Sequence, residues 1–139
     1  MLTTAASPLQ EIQQSHIDGN LPATFEAFNK ILERDLTKYF SGILNSDINI
    51  KYELLRRRPT QSGLAYPKFY AWVTILSSGK VVEAGAVRVA AIDKTRIDVT
   101  NFISQRDIVK HPKSIDTVFP AALCDDIRFR ARKPWTTIH

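Results

Sequence analysis

The stretch FYAWVTILSSGKVVEAGAVRVAAI, residues 69–92, decides the fold. Two runs rich in β-branched and aromatic residues flank Ser78-Gly79, a two-residue loop suited to a tight hairpin because glycine accepts positive φ without steric cost. That loop sets Leu76 opposite Val81. Counting outward, Trp72 then faces Gly85, an aromatic over the backbone that a missing side chain leaves bare. A second turn at Asp93-Lys94-Thr95 leads into a further strand, Arg96 to Ile103. With Ile92 opposite Arg96, Ile97 and Val99 share a face with Tyr70, Trp72, Val87 and Val89, and this apolar face is assigned to the core under a helix. The other face then holds Ala71, Val73, Ala84, Ala86, Arg88, Ala90, Arg96, Asp98 and Thr100. A face of alanines is too apolar for ordinary wetted sheet, and Arg88 among them calls for a partner, for which diagonal Asp98 is nearest. Something must cover that face as well.

Upstream, Ile48, Ile50, Tyr52 and Leu54 alternate with Asn49, Lys51 and Glu53, the two-residue period of a half-buried strand. Before it, Phe25, Phe28, Leu32, Leu36, Tyr39 and Ile43 recur every three or four residues and predict a helix from about 21 to 44, with Pro22 in its first turn. The opposite side carries Glu26, Asn29, Lys30, Glu33, Arg34 and Thr37 and meets water. Ser7-Pro8 starts a shorter helix that ends at Asp18-Gly19-Asn20. Downstream, Ser104 to Lys110 predicts a helical turn stopped by His111-Pro112, and Pro120 starts a last helix, Ala121 to Arg132, which can cover the second face. The expected fold class is α+β: N-terminal helices on a curved four-stranded antiparallel meander with a C-terminal helix, one domain over 1–139 with loose tails at 1–6 and 134–139.

Composition narrows the function classes. At 139 residues, with 44% hydrophobic and 24% charged, the chain can build a core without staples. Its longest apolar run, around Ala84 to Ile92, is broken by Arg88 and is too short for a membrane span. The start lacks a secretory pattern, so the expected location is cytoplasmic. Cys124 is the one cysteine, which excludes an intrachain disulfide and a thiolate zinc site. It reads as a small core residue. His16, His111 and His139 have no metal-ligand spacing, and Asp125-Asp126 point about 100° apart on a helix and cannot share a substrate atom. With no glycine-rich phosphate cradle and no nucleophile motif, neither catalytic residues, a metal nor a cofactor is expected, and the reading leans away from an enzyme.

A long helix across a strongly bent antiparallel meander resembles the cystatin-like and nuclear transport factor two-like rolls, over about residues 20 to 103 and in order of elements. The resemblance implies dimers through the sheet, or a small molecule held between sheet and helix. Three expectations follow. The first is a non-enzymatic interaction or accessory domain that meets a second copy, or another protein, through Ala71, Ala86, Arg88, Ala90 and Asp98. The second is a pocket for a small anionic ligand, or a pocket enzyme, built from Tyr52, Tyr70, Trp72 and Arg88. The third, suited to a net charge of +5 and a pI near 9.5, is nucleic-acid binding through two basic clusters: Arg56, Arg57 and Arg58, and Arg128, Arg130, Arg132 and Lys133.

Overall fold

A computed structural model describes residues 21, 22, 24–60 and 65–134. The helix expected from Ser7 to Asp18, His16, His139 and the tail beyond residue 134 lie outside them.

Helix α1 spans Phe25–Leu44 and begins four residues later than the periodicity suggests, because Thr24 stops it. The Thr24 hydroxyl accepts from the Ala27 N–H at 3.0 Å, satisfying one of the donors that a helix start leaves free, and Pro22 stays outside. Asn45 ends it in the left-handed region, φ 52°. Phe28, Leu32, Leu36 and Phe40 are the buried stripe, while Phe25 and Ile43, expected inside, are exposed. The helix is turned so that Phe40 meets Phe102 edge-on at 4.8 Å.

Strands β1 (Asn49–Leu54), β2 (Lys68–Ser77), β3 (Lys80–Asp93) and β4 (Arg96–Ser104) form an antiparallel sheet in the order β1-β2-β3-β4. Ser78 and Gly79 both have positive φ, 51° and 79°, as a two-residue hairpin turn requires, and Leu76 does pair with Val81. The pairing then slips. Ile75 faces Glu83, so Val82 is an extra residue in β3 and every later pair moves by one. Trp72 therefore faces Ala86, and Gly85 faces Val73. Because side chains alternate, this single insertion turns β2 over relative to β3.

The face assignment is corrected accordingly. Phe69, Ala71, Val73 and Ile75 lie under α1 with Val87, Val89, Ala91 and Ile97, whereas Tyr70 and Trp72 lie on the opposite side with Ala84 and Ala86. Gly85 also has a different reason from the one expected. A Cβ there would meet the Ile103 carbonyl oxygen, and would come within 2.7 Å of Phe102 Cε1 and 2.9 Å of Ser104 Cα, so β4 crosses too close for any side chain.

Two more irregularities sit between β3 and β4. Asp93, not Ile92, pairs with Arg96, leaving the two-residue loop Lys94-Thr95, in which Asp93 Oδ1 accepts from the Thr95 N–H at 2.7 Å. Thr100 is a further extra residue, since Val89 faces Val99 and Arg88 faces Asn101. It is Thr100, not Asp98, that meets Arg88: Nε donates to the hydroxyl at 2.9 Å. Asp98 instead pairs with Arg96 at 3.3 Å.

The second face is covered by the same chain. Helix α2 (Gln105–Lys110), a 3-10 turn (Pro112–Ile115) and helix α3 (Ala121–Ala131) bring Ile108, Ile115, Phe119, Cys124, Ile127 and Ala131 against Tyr70, Trp72, Ala84 and Ala86. Ser104 caps α2, its hydroxyl accepting from the Asp107 N–H at 3.2 Å. Ala71, Ala86 and Ala90 are all buried, and both sides of the sheet are shielded.

Candidate anion-binding surface

The two basic clusters are far apart in sequence, one just after β1 and one at the end of α3, and one ion pair links the elements that carry them. Glu53 is on the polar side of β1 and so faces α3, not α1. There Arg130, in the last turn of α3, grips it with two parallel hydrogen bonds, Nη1 to Oε1 at 2.9 Å and Nη2 to Oε2 at 3.0 Å, while its Nε donates to Asp126 at 3.1 Å. The fork of a guanidinium fits a carboxylate in this way, and the geometry fixes the end of α3 beside the end of β1. Gln105 fastens the same end: its buried side-chain amide donates to the Ala131 and Lys133 carbonyls at 2.8 and 2.6 Å. The first is among the carbonyls that a helix C-terminus leaves free, and the second lies just past it.

Arg56 lies three residues beyond Glu53, at most roughly 11 Å of chain, a span comparable with the screening length of roughly 8–10 Å in physiological salt. Arg56, Arg57 and Arg58 are exposed and, among the described residues, none meets a carboxylate; Arg132 is exposed likewise. Lys133 sits 4.7 Å from the centre of the Phe129 ring, which is itself exposed. The Glu53–Arg130 pair thus brings the end of α3, with Arg132 and Lys133 just beyond it, beside β1, the strand that Arg56, Arg57 and Arg58 follow. The hydrogen bond from Arg130 holds the Glu53 carboxyl below its usual range against its partial burial, with the charges of Arg130 and Lys133 adding to the effect.

Arg128, expected in the same cluster, is engaged elsewhere. It donates to Asp116 at 3.0 Å, to Asp125 at 3.2 Å and to the Pro112 carbonyl at 3.0 Å, tying α3 to the 3-10 turn. Its role is to hold the cover together. Glu53, the residue that joins the clusters, carries no sequence signal, because it reads as one more polar residue on an alternating strand.

The four residues expected around a pocket divide between the two faces. Tyr52 lies under α1, its hydroxyl donating to Asn29 Oδ1 at 2.6 Å, and burial raises its pKa with the charge of Glu33 adding. Tyr70 and Trp72 are buried on the other face, Tyr70 sharing a hydrogen bond with Thr60 at 2.5 Å and lying 5.9 Å from Phe119. Arg88 is half-buried opposite Tyr70. The sheet itself separates Tyr52 from the other three. A small pocket of about 80 Å³ lies among Ile108, Pro112, Arg128, Ala131 and Arg132, well below the few hundred cubic ångströms usual for ligand sites.

Of the residues expected at an interface, Ala71 is under α1, Ala86 is under the C-terminal cover, Ala90 is buried, Arg88 is half-buried, and Asp98 is exposed. Cys124 is buried, its thiol donating to the Pro120 carbonyl at 3.4 Å; burial, then the charge of Asp116, pushes the thiol up. His111 follows the end of α2 and is exposed. Among the described residues no helix is long and apolar enough to cross a membrane. No family model, curated protein or solved structure matches the chain.

Proposed function

We propose that the protein is an accessory binding module that engages the phosphate backbone of single-stranded nucleic acid through the basic end formed by Arg56, Arg57, Arg58, Arg130, Arg132 and Lys133. The observation that carries this reading is the forked Glu53–Arg130 pair, which holds the basic end of α3 against β1, the strand that leads into Arg56, Arg57 and Arg58. Phosphate binding is driven by release of counterions and needs clustered, unpaired cations, which Arg56 to Arg58 and Arg132 supply. Phe129, beside Lys133, and Tyr66 are both about half exposed and offer the flat apolar surface that base stacking requires. The net charge of +5 adds a general attraction toward acidic partners.

The test is anisotropy of a labelled oligonucleotide titrated with the protein at increasing salt. Four phosphate contacts predict a log–log slope of about −3 and a fall in affinity of roughly 50-fold between about 50 and 200 mM salt. Replacing Arg56, Arg57 and Arg58 with Gln together flattens the slope by about 2. Absent binding, or binding indifferent to salt, sinks the proposal. Binding to an acidic peptide with none to the oligonucleotide replaces the partner class.

A further inference from the structure

The sheet has two edges, and they are treated differently. At β4, Asp35 on α1 accepts from the Ile97 N–H at 2.8 Å and Arg34 donates to the Thr95 carbonyl at 2.6 Å, so side chains occupy backbone groups at the hairpin end of this edge. At β1 no such guard exists among the described residues. The Leu55 N–H donates to Tyr70, its direct partner, which fixes the alternation: residues 49, 51, 53 and 55 turn their backbone groups toward β2, and Ile50, Tyr52 and Leu54 turn theirs outward.

We infer that β1 pairs antiparallel with β1 of a second copy, about a two-fold axis at Tyr52, to make one continuous eight-stranded sheet. The sequence of the edge selects both the occupant and the register. Only outward-turned residues can bond across the axis, so few registers are open. Centring on Tyr52 places Ile50 opposite Leu54 of the second copy, Tyr52 opposite Tyr52, and Leu54 opposite Ile50, each pair exchanging two N–H···O bonds. It also sets Lys51 opposite Glu53 of the second copy, and Glu53 opposite Lys51. A shift of the axis by one residue toward the start of the strand sets Lys51 against Lys51, and a shift the other way sets Glu53 against Glu53; like charges directly opposite are destabilising. Of these three registers, only the one centred on Tyr52 sets opposite charges against each other. Lys51 is exposed and has no ion-pair partner among the described residues, and the Glu53 side chain keeps 65% exposure despite Arg130.

Sedimentation of the full chain over a range of concentration tests this, with three charge forms. The natural protein forms a dimer. Lys51→Glu sets carboxylate against carboxylate at both cross-axis pairs and weakens the dimer by roughly tenfold or more, and Glu53→Lys sets ammonium against ammonium there and does the same. Mixing the two variants restores a dimer, because one chain then supplies both carboxylates and the other both ammonium groups. Glu53→Lys also releases Arg130; should it fail to fold, Lys51→Glu remains decisive, joined by carbodiimide linking of the natural dimer, which must couple Lys51 to Glu53 between copies. A natural protein that stays monomeric at high concentration, a dimer indifferent to Lys51→Glu, or an unrestored mixture of folded variants overturns the inference. Lys51→Glu leaves the Glu53–Arg130 pair intact, so nucleic-acid binding is read separately on that variant, whereas Glu53→Lys breaks the pair and is read for assembly alone.

Discussion

The two faces of the sheet are covered in opposite ways. On one side a single 20-residue helix lays Phe28, Leu32, Leu36 and Phe40 over β-branched residues, among them Val73, Ile75, Val87, Val89 and Ile97. On the other, three short helical pieces settle over Ala84 and Ala86, with Tyr70 and Trp72 filling the space beside the alanines. Small residues let the cover approach closely, and large ones from the adjacent strand fill the space beside them. The first cover is a local element docked on the sheet. The second is assembled from pieces tied by Arg128 and fastened at one end by Arg130 and Gln105.

Two covers built so differently should respond differently to damage. Leu32 and Ile127 are both fully buried, and truncating either to Ala should cost about 2–5 kcal/mol, measured by urea unfolding. Leu32→Ala is expected to lower the single cooperative transition. Ile127→Ala, in a Trp135→Phe background, is expected to shift the emission of Trp72 toward the hydrated range as the C-terminal cover loosens. Equal, fully coincident transitions in both variants would show instead that the covers form one cooperative unit.

A smaller effect sharpens the correction at Gly85. Gly85→Ala should destabilise by about 1–3 kcal/mol, because the added Cβ meets the β4 backbone, which cannot give way like the tip of a side chain. A neutral Gly85→Ala would show that β4 does not press against this glycine.

The smallest effect concerns acid. Glu53 has its pKa lowered in the folded state, so its contribution is present above the ordinary glutamate pKa and is lost as pH falls through the lowered value. The group is largely exposed, and solvent screening keeps the effect small. Below about pH 4, the end of α3 should exchange its amide hydrogens faster than the centre of α1 does. Unchanged exchange at Arg130 to Lys133 would mean that Gln105 alone holds that end.

Much of the fold was legible because it is local. The three-and-four spacing of Phe28, Leu32 and Leu36, the alternation of β1, the Ser78-Gly79 loop, the stop at Pro112 and the start at Pro120 each act over a few residues, and each names its element. The site was half legible. Runs of arginine announce charge, but nothing in them says which carboxylate holds Arg128 or that Glu53 joins the clusters, since those partners come from elements 12 and 77 residues away.

The amino-acid order by itself determined the kinds of element, their succession and the need for cover on both sides of the sheet. The tertiary structure alone decided which side β2 turns to the helix, while the sides of β1 and of Val87, Val89 and Ile97 were read correctly from the sequence. Side chains in a strand alternate with a period of two, so one inserted residue reverses the whole set, and Val82 supplies that residue with no mark in the sequence to distinguish it from its neighbour.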